Sequence, residues 1–145
     1  MISWTELVRL VQARAGNRGE YCQMHESLQG ATYHAEHILS RSRGRDSTLK
    51  NLAWACPSCN LHKSDRQSLI DEASAAEVEM FDPRRHTWKD HFQLASYEVI
   101  GLTEIGRALI LAFHLNSPKR QRIRQAEELF GLFPPTFSPG DDLES

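Results

Sequence analysis

The chain has few cysteines, no long apolar run and no glycine-rich phosphate-binding loop. Its 145 residues include three cysteines, and an odd count argues against a secreted fold held by disulfides, since such folds carry an even number. No stretch reaches the roughly 20 apolar residues that a transmembrane helix needs. Without a GxxxxGK-type loop, nucleotide hydrolysis is unsupported. We expect a protein of a reducing compartment, cytoplasmic and without a membrane partner.

Composition and the first residues indicate one compact domain. The 40% hydrophobic and 25% charged content is that of a globular protein of this length. The opening run MISWTELVRLVQ lacks the basic start and the unbroken apolar stretch of a secretion signal, and it predicts a helix. Ser3 and Glu6 form a capping box, and Gly16 can end the helix. We expect residues 1–17 to be a scaffold helix whose apolar face is formed by Trp4, Leu7, Val8 and Val11.

The side chains that could bind a metal or transfer a proton are concentrated in residues 34–63, HAEHILSRSRGRDSTLKNLAWACPSCNLHK. The Glu36 carboxylate can hold a hard divalent cation, and Asn60 offers a neutral oxygen as a second ligand. His37 can take a proton from water near neutral pH. This order of residues predicts a metal-dependent nuclease site.

The local sequence predicts the path of the chain through this segment. Residues 31–39 are typical of a strand, residues 40–50 of a polar loop and residues 51–56 of a second short strand. A helix then begins at Pro57, where a missing N–H is tolerated. Asn60 and Lys63 are three residues apart on that helix, so they share a face and could both touch one phosphate.

These residues resemble the HNH family of nucleases, through Glu36-His37, Asn51-Leu52 and the run Cys56-Pro-Ser-Cys59-Asn60. The resemblance implies a ββα-metal (His-Me finger) core acting on DNA, with one Mg²⁺ or Mn²⁺ ion bound by Glu36 and Asn60. It also implies that His37 is the general base and that the Asn51 side chain bonds across the loop backbone to fix the orientation of His37. The alternative is a non-catalytic DNA- or RNA-binding module derived from such a nuclease.

The cysteines depart from the pattern of that family, whose members usually carry two Cys-x-x-Cys knuckles around a structural zinc. Cys56 and Cys59 form one pair, but Gly19 stands where the first thiolate of the other pair is expected, which leaves Cys22 alone. His25 is a candidate substitute because Cys22-x-x-His25 keeps the spacing. Two alternatives stay open: a zinc site completed by His25 or water, or a site that is weakened or lost.

Basic residues lie next to the proposed site although the net charge is −2. The loop between His37 and Asn51 could follow a phosphate backbone through Arg41, Arg43, Arg45 and Lys50. A solvated loop is the alternative. A second basic run, residues 119–124, lies on a predicted helix with an apolar stripe of Ile123, Ala126 and Phe130, and there a solvated face is the favoured interpretation.

We therefore expect an α+β protein. Its ββα-metal core, residues 18–66, would follow the N-terminal helix and precede a β and helical extension, residues 67–133, packed on that core, and a disordered tail, residues 134–145. In the extension we predict a linker with a helical turn over residues 65–79, strands over 78–81, 87–94 and 98–102, and two helices. The runs FDPRRHTWKDHFQL and VIGLTEIGRALI also resemble the tail of one bacterial HNH subgroup. The first of these two helices, residues 103–116, has an apolar excess at Leu111 and Leu115. This excess indicates a surface that a second copy of the chain could cover in a homodimer.

Overall fold

A computed structural model describes residues 2–39 and 47–136. The expected phosphate contacts at Arg41, Arg43 and Arg45, and the tail from residue 137 onward, lie outside these ranges. The chain divides into two compact units, Met1–Asp65 with Asp82–Arg84, and Arg66–Phe81 with Arg85–Ser145. The mixture of helices with small antiparallel sheets confirms the predicted α+β class.

The first unit is built on a hairpin flanked by two helices. Helix α1 spans Trp4–Arg14, and a 3-10 turn follows at Glu26–Leu28. Strands β1 (His34–His37) and β2 (Leu52–Ala55) pair antiparallel, and helix α2 spans Pro57–Lys63. This ββα order confirms the predicted core, with strands shorter than expected.

Strand β2 is the centre of this unit because all four of its residues are buried. The segments before β1 add further large buried side chains to this core, those of Val11, Tyr21, Met24 and Tyr33. Helix α1 begins where the Ser3 hydroxyl accepts a hydrogen bond from the Glu6 amide at 3.2 Å, which satisfies one of the helix's first N–H groups. α1 packs against β1 and β2.

The part of the second unit that the structure describes, up to residue 136, contains two hairpins and three helices. Strands β3 (Ser68–Asp71) and β4 (Ala76–Glu79) form one hairpin, and β5 (Phe92–Ala95) and β6 (Glu98–Gly101) form the other. Helix α3 spans Trp88–His91, α4 spans Glu104–Ala112 and α5 spans Pro118–Leu129. α4 packs on β3, β4 and β6. None of the helices within the described ranges is long and apolar enough to cross a membrane.

Two predictions in this unit were wrong. The segment predicted as a linker with a helical turn forms the β3–β4 hairpin, whose buried and exposed residues alternate along β3. Its alanines and glutamates are not typical of strands, so pairing and burial override local propensity there. Residues 88–91, predicted as strand, form α3, and β5 begins at Phe92.

Helix α5 also differs from its prediction, because it buries charge rather than an apolar stripe. Arg120, Arg124 and Glu127 are buried, while Phe130 is 69% exposed. The Arg124 guanidinium donates to the backbone oxygens of Tyr97 at 2.8 Å and Leu115 at 2.7 Å. The solvated face expected for this basic run is therefore wrong for its two buried arginines, and burial removes both from any nucleic-acid surface.

Replacing Arg124 should destabilise the protein. Arg124→Met removes both charge-assisted hydrogen bonds and leaves two carbonyl oxygens without these donors, so we expect the free energy of unfolding to fall by roughly 3 kcal/mol. Arg122→Met is the matched control because Arg122 is exposed on the same helix, and it should change little. Urea denaturation followed by circular dichroism measures both, and equal effects of the two variants would contradict the structural role of Arg124.

Candidate functional site

Glu36 is a buried carboxylate on β1, with 7% of its surface exposed. The Tyr21 hydroxyl donates to its Oε1 at 3.0 Å, and the Lys63 ammonium lies 3.7 Å from the same oxygen. Burial raises the pKa of Glu36 to about 7, although Lys63 and Tyr21 oppose the shift. Among the described residues, no hydrogen bond reaches its Oε2. Oε1 of Glu36 is thus hydrogen-bonded, whereas Oε2 has no hydrogen bond to a described residue.

Lys63 was predicted to face a phosphate from the surface of α2. That prediction is wrong, because the structure buries the Lys63 side chain against Glu36. Its side chain is 2% exposed, and its ammonium donates to the His37 backbone oxygen at 3.1 Å. The reason is that α2 packs its Lys63 face against β1. In this structure Lys63 therefore links Glu36 to the backbone of His37 and supports the site from within.

His37 is the last residue of β1 and is partly exposed. Its Nε2 lies 2.8 Å from the Ser47 hydroxyl. The indole of Trp4 lies nearly parallel to the imidazole, at 10° and with 6.2 Å between ring centroids. Successive strand side chains point to opposite faces, which agrees with the separate partners of Glu36 and His37.

Asn51 joins the two sides of the hairpin just beyond His37. Its Oδ1 accepts from the Leu39 amide at 2.8 Å, and its Nδ2 donates to the Leu39 oxygen at 2.9 Å. The backbone oxygen of Asn51 accepts from the Ile38 amide at 2.8 Å. This is the type of cross-loop contact that the family resemblance implies for this position. Lys50, the neighbouring basic residue, is exposed.

Asn60 lies on α2, one turn before Lys63 and therefore on the same face of the helix. It is half-buried, and its side-chain amide makes no hydrogen bond to any residue in ranges 2–39 and 47–136. Because Lys63 contacts Glu36 from this face, the Asn60 side chain lies on the face of α2 that packs against β1.

Cys22, Cys56 and Cys59 form a second, buried cluster in which the three Sγ atoms lie within 4.8 Å of one another. Backbone N–H groups point at two of these sulfurs, from Met24 to Cys22 at 3.4 Å and from Cys59 to Cys56 at 3.3 Å. Hydrogen bonding to the Cys22 and Cys56 thiols, together with burial, holds the pKa of Cys59 well above its usual value. The donor set and spacing fit zinc, which binds thiolates in structural sites.

Gly19 stands where the family resemblance implies a fourth cysteine. A Cβ placed on Gly19 would lie 2.9 Å from the Cys22 sulfur, so position 19 faces the cluster directly. The proposed substitute, His25, is not part of the cluster. Its Nδ1 instead contacts the Ser27 amide at 3.1 Å and the Ser27 hydroxyl at 2.8 Å. The structure therefore brings the three cysteines together without His25.

The sequence did not single out three residues that contact the candidate site: Trp4, Tyr21 and Ser47. Tyr21 and Glu36 are 15 residues apart, and Ser47 and His37 are 10 apart. No short spacing could have shown these contacts. Trp4 could have been noticed from its place at the first position of a capped helix, but we assigned it to the apolar face of that helix.

Part of the chain matches a protein-family model. Residues 20–66 match the model described as HNH endonuclease, and this segment covers less than half of the chain. It contains the hairpin, α2 and the three clustered cysteines. Comparisons with curated proteins and with solved structures returned no match. Residues 20–66 are therefore similar in sequence to the HNH endonuclease model, and their ββα order fits the core expected of it.

Proposed function

We propose that the protein is a metal-dependent endonuclease that hydrolyses phosphodiester bonds in DNA. The observation that carries this proposal is Glu36: a buried carboxylate with one open oxygen, next in sequence to the partly exposed imidazole of His37. A carboxylate in such a place favours a bound cation, since burial disfavours its isolated charge.

Glu36 and Asn60 would hold Mg²⁺ or Mn²⁺ through oxygen atoms, which are the ligands these ions prefer. Two findings support the pair: each has a side-chain oxygen without a hydrogen bond among the described residues, and both belong to elements that pack together. When bound, the ion would neutralise charge that develops on the phosphate oxygens.

His37 would act as the general base. Its Nε2 already faces a hydroxyl oxygen, that of Ser47, at 2.8 Å, which is the distance at which an imidazole nitrogen exchanges a proton with water. Two contacts would keep the ring in place. Lys63 fixes the His37 backbone oxygen, and Asn51 fixes the backbone two residues further on.

Contacts to the DNA backbone would come from the basic loop. Lys50 is exposed directly before Asn51, and in sequence Arg41, Arg43 and Arg45 belong to the same loop. Such residues bind phosphates without selecting a sequence. Lys63 is not in this group, because it is buried against Glu36.

Cys22, Cys56 and Cys59 would bind a structural zinc, with water as the fourth ligand. A structural zinc can contribute on the order of 10 kcal/mol to the fold of a small module. A second candidate function, a nucleic-acid-binding module that does not cut, is favoured by Gly19, because a weaker zinc site would loosen the hairpin and α2 that carry Glu36, His37 and Asn60.

His37→Ala should abolish most of the cleavage of supercoiled plasmid in Mg²⁺ or Mn²⁺, with a rate loss of about 10²–10⁴-fold. His34→Ala is the matched control, since His34 is exposed on the same strand. Gel analysis of nicked and linear forms measures both rates. Plasmid binding without any metal-dependent nicking by the unmodified protein would select the binding module instead.

Glu36→Gln should change how stability depends on pH. The folded state raises the pKa of Glu36 from 4.5 to about 7, so it binds this proton more tightly than the unfolded chain does. Its contribution to stability is present below about pH 4.5 and is lost as the pH rises through 7, by up to roughly 3 kcal/mol. Glu36→Gln lacks this loss, so its stability should fall less between pH 5 and pH 8 than that of the unmodified protein, even though Lys63 loses its carboxylate partner at every pH.

This comparison uses urea denaturation in EDTA at several pH values, with Glu6→Gln as the control because Glu6 is exposed in the same unit. Parallel pH profiles for the unmodified protein and Glu36→Gln would contradict the raised pKa. Added Mg²⁺ should stabilise the unmodified protein at pH 8 and leave Glu36→Gln unchanged.

Gly19→Cys should strengthen zinc binding, because it places a fourth thiolate at the cluster. We expect affinity at least on the order of tenfold higher, with about one zinc per chain. Gly19→Ala is the matched control, since its Cβ crowds the Cys22 sulfur in the same way without adding a ligand. Chelator competition and metal analysis measure the affinities, and equal affinities in all three proteins would rule out zinc binding at this cluster.

A further inference from the structure

Helix α1 lies outside the segment that matches the HNH family, yet it contacts the candidate site at two places. At its first residue, the Trp4 indole stacks on the His37 ring. At its last residue, the Arg14 guanidinium donates to the backbone oxygens of Leu49 at 2.8 Å and Leu52 at 2.6 Å. These two oxygens lie on either side of Asn51. The helix therefore belongs to the site.

The indole of Trp4 is held in place but is half uncovered. The Ser3 cap fixes where α1 begins, and the Arg14 contacts fix where it ends. Trp4 is 49% exposed, whereas the other two tryptophans, Trp54 and Trp88, are 3% and 6% exposed. A large aromatic side chain on a fixed helix, beside a proton-transferring group and open to solvent, is a surface on which a flat ligand can stack.

The ring geometry suggests which ligand this surface takes. The two rings are parallel to within 10°, but their centroids are 6.2 Å apart, which is too far for full face-to-face overlap, and about half of the Trp4 surface remains exposed. A nucleobase attached to the phosphate at His37 would be a flat group close to that surface. Base stacking on an aromatic side chain contributes about 1–3 kcal/mol per base and does not depend on sequence.

We propose that Trp4 stacks an unpaired base next to the phosphate on which His37 acts, so that the site prefers single-stranded or unpaired DNA to intact duplex. In a duplex the bases remain stacked on one another and offer the indole no free face, whereas a single strand presents its bases at little cost. This inference rests on the proposed nuclease function, and it names the substrate form on which that function works.

Binding can be measured apart from cutting. In EDTA, fluorescence anisotropy would compare a short labelled single strand with the matching duplex. Trp4→Ala should weaken single-strand binding by about tenfold, within the roughly 5- to 150-fold that 1–3 kcal/mol represents, and should leave duplex binding within about twofold. Trp4→Phe keeps a stacking ring and should retain most of the affinity. Leu10→Ala is the matched control, as Leu10 is also exposed on α1, and it should behave as the unmodified protein.

A second measurement needs no destabilising substitution. The single strand should quench the tryptophan emission of the unmodified protein, and the quenching should be absent in Trp4→Phe, because Trp54 and Trp88 are buried. With Mg²⁺ present, Trp4→Ala should raise KM for the single strand more than it lowers kcat.

The outcomes separate the two proposals. Equal losses on single strand and duplex, unchanged single-strand affinity in Trp4→Ala, or no single-strand binding by the unmodified protein would each overturn the role of Trp4, even if plasmid is still nicked. Absence of metal-dependent nicking, with single-strand binding lost in Trp4→Ala, would overturn the nuclease and leave the stacking site standing as part of a binding module.

Discussion

The buried ammonium of Lys63 is the contact on which the arrangement of the site depends. It lies 3.7 Å from the Glu36 carboxylate and donates to the His37 backbone oxygen at 3.1 Å, so one side chain of α2 fixes two consecutive residues of β1. Without a cation at this place, Glu36 would be a buried carboxylate with only the Tyr21 hydroxyl as a partner, and the energetic cost of that burial would fall on the hairpin.

The hairpin separates two chemical environments because neighbouring strand residues face opposite sides. On the Glu36 side, burial and a single fixed oxygen favour a cation. On the His37 side, the imidazole meets a hydroxyl and an indole that remain accessible. The cysteine cluster and the Arg14 contacts support this hairpin from β2 and from the turn before it. The two neighbouring side chains therefore have different partners, Lys63 and Tyr21 for Glu36, and Ser47 and Trp4 for His37.

Local patterns predicted much of the first unit and less of the second. Pro57 and the Cys56-x-x-Cys59 pair marked the start of α2, and Asn51 was expected to bond across the loop. In the second unit, the β3–β4 hairpin was missed because its composition is not that of a strand. The buried arginines of α5 were missed because their partners are backbone oxygens at Tyr97 and Leu115, which a sequence pattern does not show.

By itself, the sequence determined which chemical groups are present and in what order: an acid, an imidazole, two amides and three thiols, at spacings that a ββα unit can carry. Only the tertiary structure decided what each group touches. It buried Lys63 against Glu36, turned Gly19 toward the Cys22 sulfur, left His25 with Ser27 and set Trp4 on His37. The physical reason is that burial and pairing depend on which distant segments meet, and those contacts are set by packing of the whole unit rather than by neighbours along the chain.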